Sequence, residues 1–575
     1  MRSLTRLARP LGLVLALGLG SGAAPASAAP DGLAGPYLAG RLASFDYDYT
    51  AAAQYFARAL AADPGDPGLM ENLIIGRIGT GEVDAALPIA KALEASGKPS
   101  QIAEVVILAG LAREGDFQGL LAALDQGHSA GGLADGLLRG WADLGLGRMS
   151  EATEAFDAVV ATEGLRSFGL YHKALALALV GDYEGADAIL SGAADGPLRA
   201  TRRGVIAHAQ ILSQLERQAD AVELLDKLFG QTDDAQLNEL RARLAAKETV
   251  PFDIVTDARD GIAEVFYSIA SALNGDEPDL NTLTFARMAE FLAPKRADTL
   301  LLCASILEAQ GQHELASRSY SRIGRDDPAF VTAELGRSDA LIAAGNWDAA
   351  IEVLRQLSKD YPERSDIWAA YGDALRRQER FAEAADAYDR AVALFAAEEP
   401  RQWVVYYTRG IARERLKRWP EAEANFRKAL DLSPDQPAVL NYLGYSYLDR
   451  KDETKYDEAL AMIERAVAAR PDDGAITDSL GWALYLLGRY DEAVTQLERA
   501  VELMPVDPVI NDHLGDAYWA VGRRLEAQFQ WRRALSFKPE SEAEAARIRR
   551  KLEVGLDAVL AEEGAPPLAV TRNGD

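Results

Sequence analysis

Cysteine is nearly absent from this sequence, which has a single one, Cys303, among 575 residues. One cysteine forms no intramolecular disulfide, so we expect the fold to depend on packing. Cys303 lies in the apolar segment LLLCASILEAQG, where one face of a helix is expected, and we predict that it is a small core residue. The first 28 residues contain no cysteine, which argues against a lipid-modified cysteine there.

Positive charge and long apolar runs are also scarce. Lys and Arg number 61 against 88 Asp and Glu, which gives a formal net charge of −27. Nucleic acids and anionic membrane surfaces both attract clustered Lys and Arg, so we expect neither as a partner. After the first 28 residues no apolar run approaches the length of a membrane span, and we expect no spanning helix.

The start of the chain has the features of an export signal. Arginines at positions 2, 6 and 9 precede the apolar run LGLVLALGLG, and the small residues ASA follow at 26–28. This order of a basic, an apolar and a small-residue segment is typical of a cleaved signal peptide. We therefore predict a signal peptide over 1–28 and a soluble periplasmic protein. Any association with the outer membrane would be made through a partner.

The rest of the sequence repeats itself. The stretch SLGWALYLLGRYDEAVTQLERAVELMP aligns with HLGDAYWAVGRRLEAQFQWRRALSFKP. In this alignment Gly481, Ala493, Ala500 and Pro505 correspond to Gly515, Ala527, Ala534 and Pro539, and the offset is the same for every pair. The pattern predicts two amphipathic helices per repeat, packed closely at the small residues and ended by proline. Because one such pair cannot bury its apolar face alone, we expect successive pairs to stack.

The repeat resembles the tetratricopeptide repeat (TPR) over nearly the whole chain after the predicted signal peptide. We call the first helix of each repeat helix A and the second helix B. The small residues of helix A are Gly40, Ile74, Ile107, Gly140, Ala174, Ala209, Ala270, Ala304, Ser338, Gly372, Gly410, Gly444, Gly481 and Gly515. The resemblance implies an all-α fold, a right-handed superhelical solenoid of about fourteen helix-turn-helix units.

Irregular spacing divides the repeats into segments. Between Ala209 and Ala270 the interval is nearly twice the usual one, and shorter insertions occur near FAAEEP and RKDETKY. We predict a degenerate N-terminal TPR array over 29–228, an irregular junction over 229–262 and a C-terminal TPR array over 263–540. A polar capping helix over 541–563 and a flexible tail over 564–575 complete the predicted order.

The resemblance also implies a binding groove. In TPR proteins helix A lines the concave side, with groove-facing side chains three residues before, one after and four after its small residue. These offsets select Asn441, Tyr445 and Leu448, then Asp478, Trp482 and Tyr485, then Asp512, Asp516 and Trp519. Aromatic side chains beside carboxylates and an amide suit a peptide or protein partner. The alternative is that Trp482 and Tyr485 only pad the contact between neighbouring repeats.

Residues for catalysis are not arranged in any familiar motif. The histidines are His128, His172, His208, His313 and His513. None is paired with another at metal-ligand spacing, and the sequence has no glycine-rich phosphate loop and no nucleophile elbow. We therefore predict no metal site, no cofactor and no catalysis. An enzyme that uses groove carboxylates as a glycosidase does is the alternative from another class.

A closer resemblance covers the late repeats. The blocks LGYSYLD, DSLGWALY and HLGDAYWA are similar to a bacterial family of exported TPR proteins. That family includes an outer-membrane lipoprotein adaptor, which binds a carboxyl-terminal processing protease and delivers cell-wall hydrolases to it. The resemblance implies a scaffold or adaptor for protein partners, although the lipoprotein cysteine is missing here. A scaffold in envelope assembly or polysaccharide export is the alternative.

Overall fold

A computed structural model describes residues 32–194, 196, 198–230, 232, 234–275, 278–565 and 567–568. The predicted signal peptide, 1–28, and most of the predicted tail lie outside these residues. Within them the chain contains 31 α-helices, two short 3-10 helices and no β-strand. The prediction of an all-α fold is confirmed, whereas the count of about fourteen repeats stays a prediction.

The chain divides into two compact units, one ending at Ala340 and the other beginning at Leu341. The boundary falls inside helix α18 (Phe330–Ala343). The junction predicted over 229–262 lies within the first unit and stays a prediction. Each unit is built from antiparallel helix pairs, because short turns join consecutive helices that pack against each other.

The first unit begins with six helix pairs. They are α1 (Ala34–Phe45) with α2 (Tyr49–Ala62), α3 (Pro67–Gly79) with α4 (Val83–Ala95), α5 (Gln101–Glu114) with α6 (Phe117–Asp125), α7 (Gly132–Gly145) with α8 (Met149–Ala161), α9 (Arg166–Leu179) with α10 (Tyr183–Leu190), and α11 (Arg202–Gln214) with α12 (Gln218–Phe229). Five further helices precede α18: α13 (Ala235–Ala245), α14 (Ala258–Leu273), α15 (Leu280–Leu292), α16 (Ala297–Ala309) and α17 (His313–Tyr320).

The second unit begins with α19 (Trp347–Asp360) and continues in pairs. They are α20 (Ser365–Arg377) with α21 (Phe381–Ala393), α22 (Trp403–Arg415) with α23 (Trp419–Leu432), α24 (Pro437–Asp449) with α25 (Tyr456–Ala469), α26 (Gly474–Leu486) with α27 (Tyr490–Leu503), and α28 (Pro508–Ala520) with α29 (Arg524–Ser536). The 3-10 helices Pro400–Gln402 and Glu453–Lys455 accommodate the two predicted insertions. The unit ends with α30 (Glu542–Val554) and α31 (Leu556–Glu562).

Local sequence sets where each helix begins and ends. The carboxylate of Asp473 accepts hydrogen bonds from the first backbone N–H groups of α26, and Asp507 does the same for α28, one repeat later. Such capping satisfies N–H groups that have no partner within the helix. At the other end of the same helices, Gly488 and Gly522 adopt left-handed φ values of 74° and 82°. Glycine tolerates this conformation best. The position of glycine in these two repeats therefore determines where the turn forms.

The small residues of helix A lie where helix B comes close. A Cβ atom added to Gly481 would stand 2.5 Å from Cγ of Leu497, and one added to Gly410 would stand 2.6 Å from the Phe426 ring. Phe426 and its counterpart Trp531 are fully buried. The close packing predicted at the small residues of helix A is therefore found at these positions, where a large side chain of helix B fills the contact.

In the first unit, α14 and α15 pack against the A helices of the N-terminal pairs. Helix α15 contacts α3 and α5, while α14 contacts α5, α7 and α9. A guanidinium nitrogen of Arg287 on α15 donates to the carbonyl oxygen of Gly79 at 2.9 Å. A guanidinium nitrogen of Arg113 on α5 donates to the carbonyl oxygen of Phe291 at 2.8 Å. The side of these A helices that the TPR resemblance assigns to a groove thus meets the chain's own helices.

A buried ion cluster holds α14 in the first unit. Arg203 and Glu264 are 7% and 1% exposed, and their closest nitrogen and oxygen atoms are 2.8 Å apart. Burial raises the pKa of Glu264, but the positive charges of Arg203 and Arg296 lower it by more than burial raises it. The pKa of Glu264 therefore lies below its usual value. Cys303 is also fully buried, as predicted for a core residue, and burial raises the pKa of its thiol to about 11.

Candidate functional site

The predicted groove residues lie on three successive A helices of the second unit. Helix α24 contributes Asn441 and Tyr445; α26 contributes Asp478, Trp482 and Tyr485; α28 contributes Asp512, Asp516 and Trp519. Helix α26 contacts both α24 and α28. We call the surface lined by these side chains the late groove.

Three rings form a stack in the late groove. The ring of Trp482 lies 4.8 Å from that of Tyr485 and 4.0 Å from that of His513, with interplanar angles of 9° and 13°. Tyr485 and His513 are buried, and Trp482 is half-buried. Because His513 belongs to the next repeat, the stack joins α26 to α28. His513 was not among the predicted groove residues, because the groove offset selects its neighbour Asp512.

The stacked histidine is paired with a predicted groove carboxylate. Nδ1 of His513 lies 3.0 Å from Oδ1 and 3.1 Å from Oδ2 of Asp478, and both residues are buried. Burial lowers the pKa of His513, but the charge and hydrogen bond of Asp478 outweigh burial, so the net pKa is raised above its usual value. Asp478 therefore orients His513 within the ring stack.

The carboxylates of α28 bind a lysine from the end of the chain. Nζ of Lys551 on α30 lies 2.9 Å from both oxygens of Asp512, and 2.6 and 2.8 Å from those of Asp516. The Lys551 side chain is fully buried. Asp516 also accepts a hydrogen bond from Nε1 of Trp531 at 2.9 Å. Burial raises the pKa of Asp516, although Lys551 acts in the opposite direction.

Trp519 contacts the turn between the last two helices. Its Nε1 donates to Oδ2 of Asp557 at 2.9 Å. A Cβ atom added to Gly555 would stand 2.5 Å from Cζ2 of Trp519, so the indole lies directly on the glycine. The guanidinium carbon of Arg524 lies 4.6 Å from the centre of the Trp519 ring. Trp519 is 9% exposed as a result.

Helix α30 also acts electrostatically on the earlier part of the late groove. Burial raises the pKa of Tyr445, and the charge of Glu544 contributes in the same direction. Burial likewise raises the pKa of Tyr485, and the positive charge of Arg547 acts against this rise. Asn441, which precedes Tyr445 by one turn on α24, is buried at 2% exposure. Charged residues of α30 therefore act on side chains of α24, α26 and α28.

The region predicted as one capping helix thus consists of two helices, separated at Gly555, which has a φ of 84°. These helices contact side chains that the sequence analysis assigned to a partner. The sequence signal for this arrangement was weak: Arg547 and Lys551 are four residues apart and face one way on a helix. No pattern within a single repeat connects Lys551 to Asp512 and Asp516, because both acids belong to the preceding repeat.

Neither a metal site nor a membrane span is apparent in the part of the chain that the structure describes. There, no group of three or more His, Cys, Asp or Glu side chains could hold a metal ion. Over the same residues, no helix combines the length and the apolar character needed to cross a membrane.

Family models identify the repeats. A model described as tetratricopeptide repeat matches residues 301–357, 335–399 and 452–508, and a second such model matches 403–436. These segments are therefore tetratricopeptide repeats, and the match over 452–508 includes Asp478, Trp482 and Tyr485 of the late groove. TPR folds typically serve as scaffolds for protein–protein interaction.

Similar proteins include a curated relative and solved structures. PA4667, a TPR repeat-containing protein of Pseudomonas aeruginosa, is 29% identical over 185 residues, which is 32% of this chain and 30% of that protein. A chain of the crystal structure of the APC/C hetero-tetramer Cut9–Hcn1 is 16% identical, with a TM-score of 0.38 over 91% of this chain and 96% of its own. YrrB, a TPR protein with an unusual peptide-binding site, is 20% identical, with a TM-score of 0.28 over 35% of this chain and 99% of its own.

Proposed function

We propose that the protein is a non-catalytic scaffold that holds protein partners on the late groove. The observation that carries the proposal is the ring stack of Tyr485, Trp482 and His513 beside carboxylates, on repeats of a class that typically binds proteins. Stacked rings offer large apolar area at a low cost in side-chain entropy, and nearby charges orient a polar backbone or side chain. Half-buried Trp482 is the ring best placed for contact with a partner.

The sharper form of the proposal is an adaptor in the periplasm. The late repeats of this chain resemble those of an exported adaptor for a carboxyl-terminal processing protease. The first 28 residues have the order of segments found in a signal peptide. Such an adaptor works by effective concentration, since one surface holds the substrate while another holds the protease. The substrates would be cell-wall hydrolases. A scaffold in envelope assembly or polysaccharide export is the second form.

Affinity capture from an envelope extract tests the proposal. The bait is the chain from Ala29 onward, and captured proteins are identified by mass spectrometry. Recovery of a carboxyl-terminal processing protease together with a cell-wall hydrolase supports the adaptor. Recovery of export or synthesis machinery without a protease supports the second form.

A matched pair of variants tests the assignment to the late groove. Trp482→Ala should abolish capture, because it removes the central ring of the stack. Trp419→Ala is the control, since Trp419 is also half-buried but lies on helix B of an earlier pair. Thermal unfolding followed by circular dichroism checks that both variants fold. Equal capture by folded Trp482→Ala and by the control would show that the late groove is not the binding surface.

A further inference from the structure

Helix α30 presents two cations to the late groove. Arg547 and Lys551 are four residues apart, so they lie on the same side of the helix. Lys551 binds Asp512 and Asp516, and a guanidinium nitrogen of Arg547 lies 3.8 Å from Oδ2 of Asp516. The two acids and the two cations are complementary in sign and position. The late groove is therefore acidic at this end, and the chain itself supplies the opposite charge.

Helices α30 and α31 contact the late groove through the kinds of interaction that also bind a separate peptide. They include an ammonium held between two carboxylates, an indole hydrogen bond from Trp519 to Asp557, and apolar burial of Ile548. Ion pairs and a side-chain hydrogen bond are interactions that a separate polypeptide makes equally well. Nothing in them requires that the helix be joined covalently to the last repeat.

The apolar attachment of α30 is thin. Its buried residues are Ala545, Ile548 and Lys551, of which only Ile548 is a large apolar side chain. Helix α28, of the same length, buries Ile510, Leu514, Tyr518 and Trp519 among others. Segments with few buried apolar contacts open at lower free energy than the elements around them. Helix α31 adds the buried side chains of Leu556 and Val559, so the two helices together still bury fewer large apolar side chains than α28 alone. The pair should therefore leave the late groove more easily than α28 unfolds.

The two last helices are tied to each other as well as to the repeats. Nε of Arg547 donates to Oε1 of Glu563 at 2.7 Å, and Nη2 of Arg550 donates to Oε1 of Glu562 at 2.6 Å. These pairs join α30 to the end of α31. Because these contacts lie within the pair of helices, they persist if α30 and α31 leave the repeats together.

Departure of α30 would leave Asp512 and Asp516 without their cation. Asp516 is 1% exposed while α30 covers it, and a segment that covers it again without a cation would bury an unpaired carboxylate, which is costly. Another lysine or arginine on a helix restores the pairing, whereas a neutral or acidic segment does not. The late groove therefore discriminates by charge among the segments that displace α30.

We infer that α30 and α31 form an internal ligand, which competes for the late groove with a partner helix carrying two cationic side chains one turn apart. The inference rests on the proposed function, because it takes the late groove to be the partner surface. It adds the chemical class of the partner and a closed state that the partner must open.

A peptide of the chain's own sequence is the probe. A fluorescent synthetic peptide of residues 541–563 is titrated into the purified full chain and into its Ile548→Asp variant. The substitution places a carboxylate in the apolar contact of α30 and leaves α24, α26 and α28 unchanged. We expect the peptide to bind the variant at least about tenfold more tightly than the original chain, since the apparent Kd is the intrinsic Kd divided by the fraction of chains that are open.

Controls separate displacement from general weakening. Ala546→Asp adds the same carboxylate at the adjacent, exposed position and should leave peptide affinity unchanged. A peptide carrying Arg547→Glu and Lys551→Glu should not bind, and salt should weaken binding of the original peptide. If Ile548→Asp does not fold, Arg547→Glu replaces it, because Arg547 is half-buried and its reversal repels Asp516.

The result decides the inference independently of partner capture. Equal peptide affinity for the full chain, Ile548→Asp and Ala546→Asp, or no binding to a folded opened variant, overturns it. Peptide binding to the opened variant without any captured partner would uphold the internal ligand while the proposed function fails. Capture of partners without peptide binding would do the reverse.

Discussion

Two buried cations in the late groove depend on neighbouring carboxylates. The imidazole of His513 is held by Asp478, and the ammonium of Lys551 is held by Asp512 and Asp516. Removing one member of such a pair leaves the other buried without compensation, which costs more than the pair itself contributes. Single substitutions here are therefore informative.

The His513–Asp478 pair makes stability depend on pH. The folded-state pKa of His513 lies above its unfolded value of about 6.5. Its contribution is therefore fully present below about pH 6.5 and is lost as the pH rises through the folded pKa. Asp478→Asn should lower the pKa of His513, measured by NMR titration of the imidazole. It should also cost more unfolding free energy at pH 6 than at pH 9; an equal cost at both would refute the pairing.

Lys551 should be needed for the last helices to stay attached. We expect Lys551→Met to lower the free energy of unfolding by about 3 kcal/mol, because the buried carboxylate of Asp516 and the half-buried one of Asp512 lose their cation. Urea denaturation measures the loss. Asp516→Asn in the same chain should recover part of it, since the remaining charge falls. Arg549→Met, at an exposed position of α30, is the control and should have little effect.

Single residues also mark how far sequence reasoning reached. The offset rule selected Trp482 and Tyr485, which lie in the same ring stack. It missed His513, because the third ring comes from the neighbouring repeat and from a position that the rule does not use. A rule read within one repeat cannot identify contacts between repeats, where side-chain packing chooses the partner.

Among the helices, α7, α9 and α14 meet at one buried histidine. Nε1 of Trp141 on α7 donates to Nδ1 of His172 on α9 at 3.0 Å, and Nε2 of His172 lies 3.1 Å from Oγ of Ser268 on α14. An indole N–H only donates, so Nδ1 accepts and the neutral imidazole carries its proton on Nε2. Protonation would place a second N–H against the indole.

Acid should therefore loosen this junction. Burial lowers the pKa of His172 to about 4, against about 6.5 in the unfolded chain. The unfolded chain binds the proton first, so stability falls as the pH drops from about 6.5 to about 4, by about 3 kcal/mol in total. His172→Gln should lack this part of the pH dependence in urea denaturation at pH 7 and pH 4.5. An unchanged pH dependence in the folded variant would contradict the role of His172.

The helix pairs were predictable, while the helices that fill their inner sides were not. The recurring spacing of the late repeats and the small residues of helix A correctly indicated pairs such as α26 with α27 and α28 with α29. The sequence of 541–563 predicted a polar helix that caps the last repeat. Helix α30 instead lies against side chains of the late groove, because its cations match Asp512 and Asp516.

Over the whole molecule, the two compact units should respond separately to unit-specific changes. Glu264→Gln leaves Arg203 and Arg296 less compensated in the first unit, whereas Lys551→Met affects the second. Repeat arrays are stabilised mainly by neighbouring contacts, so a local change need not spread through the array. We expect differential scanning calorimetry to show two transitions, with each variant lowering a different one. A single transition that both variants shift alike would contradict this expectation.

The repeat class and the helix pairs follow from the sequence, because they depend on residues that lie close together in the chain. Caps such as Asp507, small residues such as Gly481 and the offset between neighbouring repeats are all visible in the sequence of one repeat and its neighbour. The occupation of the late groove depends instead on residues far apart in sequence, such as Lys551 with Asp512. Charge and shape bring those residues together only after the repeats have stacked, so the folded chain alone reveals that its predicted binding surface already holds a helix of its own.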